Sequence, residues 1–124
     1  SSKYNIIRDI INLIDQENQY ENIIISSFNP LILFKIKRLN NKIPISLIWN
    51  GKTKFIKTIV RFLKPSTFHM HFKYVNSEII DWMHYRNTMV YAYTVNNMEG
   101  YSKAKKFNLD GVFTDVNLFM NEQI

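Results

Sequence analysis

The chain contains no cysteine. That excludes disulfides and thiolate-bound metals, and it fits a reducing compartment. It has only three glycines and three prolines, and these sit where structural elements change. No low-complexity linker and no internal repeat interrupts its 124 residues. Long hydrophobic runs are missing too: none approaches the ~18 residues of a membrane span. The amino terminus, Ser1-Ser-Lys-Tyr-Asn5, lacks the charged-then-apolar build-up of a secretory signal. The expected location is therefore the cytoplasm. The chain also begins without an initiator Met, so a processed, trimmed or incomplete polypeptide is allowed.

What is present reads as globular: 46% hydrophobic, 15% aromatic and 21% charged residues. The length suits one compact domain over residues 1–124, and falls short of a complete (β/α)₈ barrel of typically ~250 residues. The net charge is +6 and the isoelectric point about 9.6. A lysine-rich solvated surface accounts for this, and attraction to a phosphate-bearing substrate or an anionic membrane is the sharper reading. No nucleic-acid motif appears, so nucleic acid is not an expected partner.

Hydrophobic period orders the rest. Residues 3–18 carry Ile6, Ile7, Ile10, Ile11, Leu13 and Ile14 at helical spacing. Residues 22–28 form a short apolar run, hence a strand. Asn29-Pro30 supplies an N-cap and a first-turn proline for a helix to about Asn40. Pro44 to Trp49 is a strand, 53–64 a helix ended by Pro65, and Phe68 to Lys73 an alternating strand. Asn76 or Ser77 caps a helix over about 77–86, Met89 to Val95 is a strand, and Asn97 caps a helix over 98–107. Asp110-Gly111 turns into a strand over 111–114, with a short helix expected after Asp115. Strands alternating with helices imply a parallel α/β sheet with right-handed crossovers. Periodicity alone allows a doubly wound sheet and a piece of a barrel equally.

On a strand, His69 and His71 share a face, with Lys73 next, while Phe68, Met70 and Phe72 face the other way and suit packing against helices. A spaced histidine pair can ligate a metal, but no carboxylate clearly joins this one, and no zinc site is expected. His84, within Trp82-Met-His-Tyr85 on a helix, reads as structural. Lys54, Lys57, Arg61 and Lys64 recur at three- or four-residue spacing, which is a solvated helix face or one that meets anionic lipid.

Three segments carry a resemblance: Ile23-Ile-Ile-Ser-Ser-Phe28, Val90-Tyr-Ala-Tyr-Thr-Val-Asn96 and Asp110-Gly-Val-Phe-Thr-Asp115. In type, order and approximate spacing they resemble the I-I-S-S-F, V-x-x-W-T-V-N and D-G-I-x-T-D segments of glycerophosphodiester phosphodiesterases. The resemblance spans roughly residues 5–120 and is to the carboxyl-terminal half of that family's TIM barrel. It implies a partial barrel of parallel strands, placing His69, His71 and Lys73 in its interior with Lys73 nearest the mouth. It also implies an activity: hydrolysis of glycerophosphodiesters to glycerol 3-phosphate and an alcohol, assisted by a divalent cation, Mg or Ca. The cleft wall implied for this half is Phe28, Trp49, His71, Lys73, Tyr93 and Asn96. Asp115 is implied to be structural in the closing loop.

Two departures stand out. Tyr93 occupies the place of the family's usual tryptophan, which keeps a flat apolar wall and adds a hydroxyl. Val116-Asn117 follows Asp115 where Arg-Pro or similar is usual. The family's His-Arg-Gly, Glu-x-Asp and His-Asp segments, which bring the acid/base histidines and the cation's carboxylates, do not occur. No catalytic residue and no metal ligand is therefore assigned, and the chain alone is expected to be inactive. Its expected partners are a glycerophosphodiester substrate, the missing amino-terminal half or a second copy, and an anionic membrane surface. The alternatives are another phosphodiesterase of the same barrel superfamily, phospholipase C-like or sphingomyelinase D-like, and a non-catalytic half-barrel that binds a partner or anionic lipid.

Overall fold

The computed structural model describes residues 2–118, with side chains from Asn5 onward. The helix expected after Asp115 falls mostly outside the described residues. In chain order the elements are α1 (Ser2–Glu17), β1 (Ile25–Ser27), α2 (Pro30–Leu39), β2 (Ile45–Trp49), α3 (Ile56–Leu63), β3 (Thr67–His71), a 3₁₀ turn (Phe72–Tyr74), α4 (Ser77–Tyr85), β4 (Met89–Tyr93), α5 (Met98–Lys106) and β5 (Gly111–Val112).

Three helices start in the same way. The side-chain oxygen of an asparagine accepts a backbone N–H of the first turn: Asn29 from Leu31 at 2.9 Å, Asn76 from Ile79 at 2.9 Å and Asn97 from Gly100 at 2.7 Å. Each satisfies a donor that the helix leaves orphaned. α3 has no such cap. Phe55 precedes it in the left-handed region at φ 59°, so the helix opens at Ile56 rather than at residue 53.

The five strands are all parallel and lie in the order β1-β2-β3-β4-β5. This order decides between the two architectures that periodicity left open. Right-handed crossovers that always step to the next strand put every helix on one face, as in a barrel wall, whereas a doubly wound sheet needs a reversal of strand order. The registers Leu47↔Phe68, Phe68↔Val90 and Met70↔Ala92 line up one face of the sheet. That face and the helices share one core, with Leu33, Ile36, Val60, Leu63, Ile80 and Met83 all at most 2% exposed.

The other face carries Ser46, Ile48, Thr67, His69, Tyr91 and Tyr93, two apart along each strand, as the pleat requires. It is concave and only partly covered. Gly111 belongs to it: a Cβ there would stand 2.8 Å from the Tyr91 ring, so glycine lets β5 approach β4 closely. At the opposite end of the strands, Asp110 accepts the Val90 N–H at 2.6 Å and pairs with Nε2 of His84 at 2.7 Å, which ties α4 to the start of β4.

Candidate functional site

In a parallel barrel wall, side chains at the carboxyl ends of the strands converge on the mouth. Here β1 ends into Phe28, β2 into Trp49, β3 into His71, β4 into Tyr93 and β5 into Phe113. The face away from the helices holds a hollow of about 330 Å³ lined by Ser26, Phe28, Ile48, His69, Tyr93 and Phe113. Its walls are mostly aromatic. Tyr93 meets Phe28 edge-on with ring centroids 6.4 Å apart, and meets His71 at 5.3 Å. Phe113 meets His69 at 4.8 Å and Tyr91 at 6.0 Å.

The ring of Tyr93 is anchored. Its hydroxyl donates to the backbone carbonyl of Trp49 at 3.0 Å, a bond that spans two strands and fixes the plane of the pocket wall. Partial burial raises the phenol above its ordinary value of 10.0, so it remains a donor. Deeper in, Thr67 Oγ1 donates to Ser46 Oγ at 2.7 Å, and Ser46 Oγ lies 3.0 Å from Nε2 of His69. This chain of bonds is satisfied when Ser46 donates to a neutral imidazole. Burial lowers the His69 pKa below 6.5, which favours the same state. At the mouth, Nδ1 of His71 accepts the Lys73 backbone N–H at 3.1 Å. With Nδ1 engaged as acceptor, Nε2 is left as the donor of the neutral ring.

The residues singled out from the sequence separate into groups. Phe28 and Tyr93 line the hollow, and His71 abuts Tyr93. Asn96 lies outside it and fastens the loop after β5: its Oδ1 accepts the Asp115 N–H at 2.8 Å and its Nδ2 donates to the Asp115 carboxylate at 3.3 Å. Asp115 thus takes a structural part in that loop. Lys73 is not on a strand, because β3 stops at His71 and a 3₁₀ turn carries Lys73 to the surface, its Nζ 5.8 Å from the centre of the Tyr74 ring. Trp49 shares the parity of Leu47 and packs with Phe68, ring centroids 5.8 Å apart, on the helix side of the sheet. Its indole N–H donates to the Thr53 carbonyl at 3.1 Å. Ile48 and Phe113 line the hollow without having been singled out. Strand parity was the available signal, since Ile48 stands two residues after Ser46 and Phe113 two after Gly111.

Among the described residues no group of three or more His, Asp or Glu side chains comes together to hold a metal ion. The donors among the described residues therefore do not fit the divalent cation that the resemblance implies. The arrangement offers an apolar, aromatic-walled receptor with one imidazole donor at its mouth. Acid/base and cation-binding groups are not assembled within it.

The model of the glycerophosphoryl diester phosphodiesterase family matches residues 2–117. No curated protein matches the chain. Among solved structures, a phosphodiesterase of Oleispira antarctica in complex with the product sn-glycerol-3-phosphate is similar, with a TM-score of 0.74 and 21% identity over 88% of this chain and 44% of its own. The glycerophosphodiester phosphodiesterase of Parabacteroides distasonis has a TM-score of 0.71 at 18% identity, covering 90% of this chain and 47% of its own. That of Thermotoga maritima has 0.70 at 17% identity, covering 91% and 52%. The chain spans about half the length of these relatives, and its strands and helices follow part of their TIM barrel.

Proposed function

Because the chain belongs to the glycerophosphoryl diester phosphodiesterase family across residues 2–117, we propose that it is the carboxyl-terminal, pocket-bearing half of a barrel that hydrolyses glycerophosphodiesters. Water would be consumed, and glycerol 3-phosphate and an alcohol released. The observation that carries this reading is the aromatic hollow at the carboxyl ends of the strands, within a wall wound in barrel order. The glycerol 3-phosphate held by the Oleispira antarctica relative supports the substrate class.

In this reading Phe28, Tyr93 and Phe113 form the apolar wall against which one end of the substrate packs. Tyr93 holds its orientation through the Trp49 carbonyl. His71, whose ring abuts Tyr93, would offer its Nε2–H to a phosphate oxygen, the complementary acceptor. A divalent cation would have to take its ligands from outside the described residues. The acid/base pair would come from outside them too, so the 124-residue chain binds without turning over.

The test has two parts. The purified 124-residue chain, given glycerophosphodiesters with Mg or Ca, should show no turnover, and cation-dependent turnover would refute the half-barrel reading. In the intact protein made by the source cell, Tyr93→Ala should raise KM several-fold through loss of the ring wall, an effect of about 1 kcal/mol. An unchanged KM would remove Tyr93 from the pocket.

A further inference from the structure

The outer, helical side of the molecule has an exposed apolar surface that the hydrolytic pocket does not use. Between α2 and α3 lies a groove of about 590 Å³ whose walls include Pro30, Leu31, Phe34, Ile59 and Phe62, with Arg61 among them. Leu31 is 70% exposed and Phe62 67% exposed. The Phe34 and Phe62 rings lie 5.2 Å apart, so the apolar side chains form one continuous surface. Outer helices of a barrel normally turn polar residues to water, and an exposed apolar patch of this kind marks an interaction site.

Charge identifies the occupant. Residues 22–77 contain no Asp or Glu, yet hold ten of the 16 lysines and arginines, and the remainder of the chain is net negative. The groove sits inside this acid-free region. The Arg38 guanidinium lies 5.9 Å from the centre of the Phe34 ring, and Arg61 lines the groove itself, so both cations flank the apolar surface. Lys57 is offset by Glu78 at 3.0 Å, and Lys37 donates to the Leu63 carbonyl. Apolar side chains that project beside cations match the boundary between headgroups and acyl chains in an anionic bilayer. A second copy of the chain fits less well, because an isologous contact would press two acid-free basic faces together.

We propose that the α2–α3 face docks on an anionic membrane surface, with Leu31 and Phe62 entering the headgroup boundary and Arg38 and Arg61 beside lipid phosphates. Neither apolar residue belongs to the hollow on the concave face, so the proposal stands apart from the hydrolytic reading.

Co-sedimentation of the intact protein with vesicles tests it. Vesicles containing about a third phosphatidylglycerol should retain the protein roughly tenfold better than pure phosphatidylcholine, and about 0.5 M NaCl should abolish the difference. Phe62→Ser and Leu31→Ser should each cut retention several-fold with the circular dichroism spectrum unchanged, and the doubly substituted Arg38→Gln, Arg61→Gln protein should do the same. Equal retention by neutral and anionic vesicles would overturn the proposal. So would full retention of the variants, or a wild-type dimer that Phe62→Ser converts to monomer, which would assign the groove to a second copy. Should Phe62→Ser fail to fold, Leu31→Ser and the arginine variants decide alone.

Discussion

At Nε2 of His69 two hydroxyls converge, Ser46 Oγ at 3.0 Å and Thr67 Oγ1 at 3.2 Å, on a half-buried ring. Protonating that nitrogen would turn an acceptor into a donor and force the Ser46 hydroxyl to turn away, its proton going to the Thr67 carbonyl 3.4 Å away. Burial already holds the pKa of the folded protein below the ordinary 6.5. The sign follows. Above 6.5 both folded and unfolded chains carry a neutral ring. As pH falls below 6.5 the unfolded chain binds the proton first, so stability falls from there down to the folded pKa. Thermal melts between about pH 7.5 and 5 should show the melting temperature dropping on acidification, and His69→Gln should flatten that slope. Equal slopes in both proteins would mean that His69 does not titrate with folding.

At the scale of elements, what the sequence discloses depends on how local the cause is. Asn29, Asn76 and Asn97 each cap a helix through a hydrogen bond two or three residues away, so all three starts were legible. Asn29→Ala should cost about 1 kcal/mol by losing the bond to Leu31, lowering the denaturant midpoint with the slope unchanged. A midpoint that does not move would show that Pro30 alone sets the start of α2. Strand parity also sorted Phe68 and Met70 from His69 correctly, because alternation is a backbone property. Parity failed for Lys73, where the backbone itself changes: the His71 ring captures the Lys73 N–H and the chain turns into a 3₁₀ helix. Trp49 was hidden for another reason. A large aromatic at a strand end suits the mouth and the outer core alike, and its choice is made by Phe68 and Tyr74, distant in sequence. The hollow was therefore half legible: Phe28 and Tyr93 through resemblance, while Ile48 and Phe113 needed the register of β2 and β5.

For the molecule as a whole, the surfaces left open point the same way. Among the described residues β1 and β5 each have one paired neighbour, so each presents a free strand edge. Packed against α2, α1 buries Ile11 and Ile14 but leaves Ile6, Ile10 and Leu13 exposed at 57%, 44% and 59%, a stripe with helical spacing and no cover among the described residues. The concave face exposes Phe28 and Phe113 at 54% and 45%. In a closed barrel these three surfaces would meet the next strand, the next helix and the rest of the lumen, and similar structures are about twice as long. On its own the 124-residue chain should self-associate through them. Light scattering should find oligomers, and Ile10→Glu with Leu13→Glu should reduce them, while Phe62→Ser on the far helical face should not. The protein isolated from its own cell should have close to twice the 14.8 kDa of this chain and scatter as a monomer. A 14.8 kDa species that is monomeric, melts cooperatively and binds no hydrophobic dye would show that the half-barrel closes its surfaces unaided. In that case the stripe on α1 would need another explanation than a missing half.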